Sequence, residues 1–154
     1  MTRDWSAIIL AGGKGTRLMP LTAEIPKPLV PVTNNPMVDY SIAHLIYAGI
    51  DHIVLALAYM GEKLKAHIEE IWTPDKLGDV ELECVIQDSK GTADAYRLLS
   101  DNMDAENVVI SMADIVTNLP MKEFMNFHED KGGMATISMK TVESHTSQYG
   151  VVLL

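Results

Sequence analysis

Apolar and polar residues alternate along the chain in short blocks, and the period of the pattern changes from block to block. "WSAIIL" and "HIVLAL" are apolar runs with no room for polar alternation, the pattern of strands covered on both faces of a sheet. "VELECVIQ" does alternate, with Val80, Leu82, Cys84 and Ile86 on one side. "NVVISM" and "GMATISMK" also read as strands, and the final "YGVVLL" begins another. Between them, "NPMVDYSIAHLIYAGI", "GEKLKAHIEEIW", "TADAYRLLSDNM" and "PMKEFMNFHED" read as helices. In the first helix Asn35 suits the N-cap, Pro36 the first helical position and Gly49 the stop, with Met37, Ile42, Leu45 and Ile46 as its apolar face. In the second, Leu64, Ile68 and Ile71 form one stripe, while Glu62, Lys63, Lys65, Glu69 and Glu70 form a solvated face.

Strand–helix alternation of this kind predicts an α/β fold, a mainly parallel sheet with helices on both faces. Ligands of such sheets sit at the carboxyl ends of the strands. Residues 11–19 follow the first strand and so lie at that end. No internal repeat, low-complexity segment or linker interrupts the 154 residues, a length typical of one domain. The last strand stops inside an apolar run: either it ends the sheet or the chain is a piece of something longer.

Composition narrows the picture. With 47% hydrophobic and 21% charged residues, the chain can bury a packed core. No apolar run approaches the roughly 18 residues of a membrane span, and no secretory signal is expected at the N-terminus. The single cysteine, Cys84, cannot form an intrachain disulfide, which fits a reducing cytoplasm, and it reads as a small buried hydrophobe. The net charge of −9 argues against broad nucleic-acid binding. A phosphate ligand would need a local cluster of positive groups, and Lys14, Arg17 and Lys27 form one, with few acids among them. His44, His52, His67, His128 and His145 have no metal-ligand spacing and read as structural or surface residues. The ten methionines read as core filler.

The cluster belongs to the stretch "LAGGKGTRLMPLT". Gly12, Gly13 and Gly15 would let backbone N–H groups approach an anion, and the fork of Arg17 suits phosphate. The same residues also fit a plain glycine turn with solvated cations, and on their own they leave both readings open. The loop matches neither the Walker motif nor the dinucleotide spacing, since Leu18 stands where a third glycine would be. Further on, Pro26, Pro28 and Pro31 bracket Lys27 with stiff, extended backbone that can hold one lysine in a fixed position.

Taken together, "LAGGKGTRLMPLTAEIPKPLVPV" resembles the signature of the sugar-phosphate nucleotidylyltransferases. Gly13, Gly15, Arg17, Leu18, Pro20, Leu21, Thr22, Pro26, Lys27 and Pro28 all match it. "GTADAY" resembles the family's Gly-Thr-Ala loop, "VVISMADIV" its strand with a metal-binding aspartate, and "QYGVV" its Tyr-Gly-Val-Val strand near the sugar site. The similarity covers nearly the whole chain.

The resemblance implies a Rossmann-like fold of the nucleotide-diphospho-sugar transferase type. It also implies transfer of a nucleoside monophosphate from a nucleoside triphosphate to a sugar-1-phosphate, with release of pyrophosphate and Mg²⁺ as cofactor. Arg17 and Lys27 would be catalytic. Leu10, Ala11, Gly12, Gly13, Lys14, Gly15, Thr16, Gln87, Gly91 and Thr92 would bind the nucleotide, Asp114 the metal, and Tyr149 and Gly150 the sugar. Without the family context, Asp114 also fits a turn carboxylate and Gln87 an exposed strand-end residue. A glutamine at position 87 would suit a pyrimidine edge, while guanylyl enzymes share the Gly-Thr-Ala loop and stay open. A cytoplasmic homo-oligomer is expected.

Two departures from the family pattern stand out: Met112–Ala113 precede Asp114 where a glycine-containing pair is usual, and the family's sugar-phosphate Glu-Lys pair and second metal-binding aspartate are not found after Gly150. Residues 1–154 are therefore expected to be the nucleotide-binding half of a domain truncated at its C-terminus. A non-catalytic binding or regulatory domain, and a cytidylyltransferase for an alcohol phosphate, remain the alternative functions.

Overall fold

A computed structural model of the chain describes residues 3–100, 103–141 and 152. It divides into two compact units, Met1–Asn118 and Leu119–Leu154. The first contains a four-stranded sheet built from β1 (Arg3–Ala11), β4 (His52–Leu57), β5 (Glu81–Ile86) and β6 (Ala105–Met112). The order is β5-β4-β1-β6, and every neighbouring pair is parallel. A small hairpin, β2 (Pro31–Val32) with β3 (Asn35–Pro36), stands apart from it.

The apolar runs account for the centre of this sheet. All six residues of β4 are buried, and so are residues 6–11 of β1. Ile8, Leu10, Val54 and Ala56 form one core with Ala95 and Leu99 of α4 (Thr92–Leu99). Side chains alternate across a strand, so Ala7, Ile9, Ile53, Leu55 and Leu57 belong to the opposite face, and they too are buried. Helix α1 (Met37–Tyr47) packs on β1, and α2 (Gly61–Ile71) packs on β4 and β5. Asp39 ties these two helices together: it accepts from Trp72 Nε1 at 2.8 Å and faces His67 Nε2 at 3.1 Å. A short helix, α3 (Pro74–Leu77), leads into β5.

Three expectations need correction. Helix α1 does not start at Asn35 or Pro36, because the hairpin ladder takes both, pairing Val32 with Asn35 and Pro31 with Pro36. Its tight turn uses left-handed Thr33 and Asn34, and the helix begins at Met37, whose N–H donates to Val30 O at 3.3 Å. In β5, Val85 rather than Ile86 packs on the α4 core, while Ile86 is exposed. Ile86 belongs to the opposite face with Leu82 and Cys84, beside Gly61 of α2, which covers it only in part.

The third correction falls in the second unit. Its helix α5 (Met121–Lys131) ends at left-handed Gly132, whose N–H donates to His128 O and Glu129 O. Residues 133–140, read as a strand, are irregular. A strand needs a ladder partner, and among the described residues this segment has none; Met134, Ile137 and Met139 are exposed. The expected strand at 149–154 lies outside the described residues, except for Val152. No helix among the described residues is long and apolar enough to cross a membrane.

Ile53 lies fully buried in β4, between β1 and β5. Ile53→Ala is expected to lower unfolding stability by about 2–5 kcal/mol, read from urea titrations. An unchanged midpoint would contradict this account of the core.

Candidate active site

β1 is paired on both sides, by β4 and by β6. The chain leaves β1 toward β4 and reaches β6 only later, so the crevice between the ends of β1 and β6 is where the strand order reverses. The glycine loop opens there. Leu10 and Ala11 are themselves core residues, 6% and 5% exposed, so they can offer a ligand backbone only. Leu10 O is already taken, accepting from Ala113 N–H at 3.0 Å just beyond β6.

The three glycines are not equivalent. A side chain at Gly13 would meet nothing, and one at Gly12 would make ordinary contact with Ala58. Gly15 has φ +64°, and a Cβ there would lie 2.9 Å from Lys27 Cβ and 3.1 Å from Thr22 Cγ2. Thr22 is buried, and its hydroxyl donates to Gly15 O at 2.8 Å. Gly15, Thr22 and Lys27 are thus one packed unit joining the loop to the Pro-Lys-Pro segment. A turn of 3-10 helix over Thr16–Leu18 carries Arg17. Lys14 and Arg17 are exposed, and neither has an ion pair or side-chain hydrogen bond among the described residues.

Lys27 opens a second 3-10 turn, Lys27–Leu29, entered through extended Pro26. Its Nζ lies 2.5 Å from Asp114 Oδ2, with side chains 32% and 26% exposed. Asp114 is carried by a turn at the end of β6, closed by Ile115 N–H to Met112 O at 3.3 Å. Buried Ala113 fits where the family usually has a glycine-containing pair, and its N–H continues the β1–β6 ladder. From α1, the Ser41 hydroxyl lies 3.2 Å from Met112 O and 3.3 Å from Ile115 O.

Gln87, Gly91 and Thr92 sit beyond the end of β5, two strands from β1. The Gln87 amide donates to Ala95 O at 3.3 Å, and Gly91 O accepts from Ala95 N–H at 3.0 Å. Among the described residues nothing links these groups by hydrogen bond or ion pair to Lys27 or Arg17. Next to them the Lys90 backbone N–H, and then the Arg97 guanidinium, hold the part-exposed Asp94 carboxyl below its usual range. Tyr149 and Gly150 lie outside the described residues.

Several residues read as structural behave so, while His145 lies outside the described residues and Met19, Met134 and Met139, read as core filler, are exposed because the loop and irregular segments that carry them do not enter the core. Burial, and then Glu69, push the Cys84 thiol up to about 11, which leaves it unreactive. Buried His52 pairs through Nδ1 with Ser6 Oγ at 3.0 Å, and His128 Nδ1 lies 2.8 Å from Thr136 Oγ1.

Among the described residues no group of three or more His, Cys, Asp or Glu side chains gathers as a metal cage. Among the described residues, a divalent cation at this crevice would find one protein carboxylate, Asp114. That fits Mg²⁺, which is bound through one or two carboxylates together with phosphate oxygens and water.

The sheet and its switch point define a mainly parallel α/β domain with Lys14, Arg17 and Lys27 in the segment that follows β1. Residues 6–154 match the family model for nucleotidyl transferases, and the chain belongs to that family. It is 36% identical over 152 residues to mannose-1-phosphate guanylyltransferase 1 of Arabidopsis thaliana, covering 96% of this chain and 41% of that protein. The mannose-1-phosphate guanylyltransferase catalytic subunit beta of Xenopus tropicalis is 37% identical over 151 residues, with the same coverage. The chain thus spans about 41% of the length of these relatives. A crystal structure of HddC from Yersinia pseudotuberculosis, complexed with GMP-PN, superposes with a TM-score of 0.69 at 25% identity, over 84% of this chain and 55% of that one.

Gly15→Ala should lower stability by about 1–2 kcal/mol, because alanine resists the left-handed conformation and its methyl displaces Lys27. Gly13→Ala should change stability by less than about 0.5 kcal/mol. Equal thermal shifts for the two variants would contradict the packing at Gly15.

Proposed function

We propose that the chain binds a nucleoside triphosphate at the β1–β6 crevice and serves transfer of its nucleoside monophosphate to a sugar-1-phosphate. The observation that carries the reading is the Lys27–Asp114 pair beside a glycine loop with two unpartnered cations. The names of the relatives favour GTP as the nucleotide and mannose-1-phosphate as the acceptor. The Gln87 amide donates one N–H to Ala95 O and keeps a second N–H and its carbonyl for a base edge, which would also suit a pyrimidine.

In the transfer an oxygen of the sugar-1-phosphate attacks the α-phosphorus, a new P–O bond forms, and the bond to pyrophosphate breaks with the electron pair leaving on the pyrophosphate oxygen. No covalent intermediate on the protein is needed, so alignment and charge neutralisation carry the catalysis. Arg17 and the loop N–H groups face the leaving pyrophosphate, and Lys27 holds the α-phosphoryl group. Asp114 would hold Mg²⁺, which when bound neutralises phosphate charge.

For Lys27 and Asp114 to take these roles, their ion pair must open. A part-exposed ion pair contributes only about 0.2–1 kcal/mol, while micromolar binding is worth about 8 kcal/mol. The pair therefore holds the two groups ready without preventing their exchange. A non-catalytic nucleotide-binding domain would share this binding site and differ only in lacking transfer.

Titration calorimetry with GTP should detect binding that depends on Mg²⁺; pyrophosphate release on adding mannose-1-phosphate is expected of the full-length protein, since this chain spans about 41% of its relatives. Absence of Mg²⁺-dependent triphosphate binding by a folded sample would overturn the proposal. Binding by the full-length protein without transfer to any hexose-1-phosphate would favour the non-catalytic reading.

A further inference from the structure

Ser41 is a polar residue on the apolar face of α1, flanked in the helix by buried Met37, Val38, Ile42 and Leu45. It is 4% exposed. A buried helical serine commonly satisfies itself by bonding back to the carbonyl one turn earlier. Here that contact, to Met37 O, is the longest of three at 3.5 Å, while Met112 O lies at 3.2 Å and Ile115 O at 3.3 Å. The hydroxyl has one proton, and the two nearer acceptors lie on the turn that carries Asp114.

That turn is held from two directions. Ala113 N–H is fixed to Leu10 O of β1, and the single Ser41 proton is shared between the carbonyls on either side of the Ala113–Asp114 pair. α1 itself packs on β1. We propose that Ser41 is a positioning residue for Asp114: it sets the turn so that the carboxylate points into the crevice at Lys27. This rests on the proposed role of Asp114 toward the metal-bound triphosphate. Neither Ser41 nor its hydroxyl meets a ligand; its effect passes through the turn.

The test is a double-mutant cycle on the full chain, with GTP as probe, measured once with MgCl₂ and once with EDTA. Ser41→Ala should weaken GTP binding in Mg²⁺ by about tenfold, the low end for residues that orient a metal ligand. It should not weaken binding in EDTA, and it should have no further effect in an Asp114→Ala background. A merely structural serine would lower thermal stability and leave the affinity of folded protein unchanged, or lower it equally in Mg²⁺ and EDTA. Ser41→Cys is slightly larger and keeps a weak donor, should give an intermediate loss, and carries the same cycle if the alanine variant does not fold. Wild-type affinity in Ser41→Ala, or an equal loss with and without Asp114, would overturn the proposal. If the wild-type chain itself binds no GTP with Mg²⁺, the function reading fails and the role of Ser41 falls with it.

Discussion

The ion pair between Lys27 and Asp114 is the contact on which the site depends. It joins two segments 87 positions apart in sequence, one leaving the first strand of the sheet and one leaving the last. Neither partner is on a strand, so each must be aimed by its loop. Pro26 and buried Pro28 stiffen the backbone on either side of the lysine. Leu10 and Ser41 hold the turn of the aspartate. The parallel pairing of β1 with β6 brings the two loops to the same edge.

The loop geometry follows from that arrangement. Gly15 must be glycine because Lys27 and Thr22 occupy the space its side chain would need. Gly12 and Gly13 carry no such constraint from the fold. Lys14 and Arg17 stay in solvent, and their charge stands out against a net charge of −9 for the chain. Among the described residues the crevice is thus a small positive surface on an acidic protein, with one carboxylate in it. Such a surface suits a triphosphate carrying a magnesium ion better than it suits an extended polyanion.

Much of the fold was legible in the sequence, because apolar runs report burial directly. β1 and β4 have few polar residues and lie at the sheet centre. "GMATISMK" has a similar pattern without a ladder partner among the described residues, and local pattern cannot supply one. Lys27 was legible through its prolines and Asp114 through the family resemblance. Their contact was not, because sequence separation hides which loops meet. Thr22 was visible only as a motif position, and its grip on Gly15 O needed coordinates. Ser41 did leave a signal: a polar residue inside the apolar stripe of a helix calls for a buried acceptor.

The measurement closest to the central claim compares GTP affinity of the wild-type chain with that of Asp114→Asn, in EDTA and in Mg²⁺. If Asp114 occupies Lys27 until ligand arrives, the variant should bind GTP more tightly in EDTA, by about two- to fivefold, the size of a part-exposed ion pair. The same variant should bind more weakly than wild type in Mg²⁺, and the gain in EDTA should disappear in a Lys27→Met background. Unchanged affinity in EDTA, or the same gain with Lys27 removed, would contradict the account.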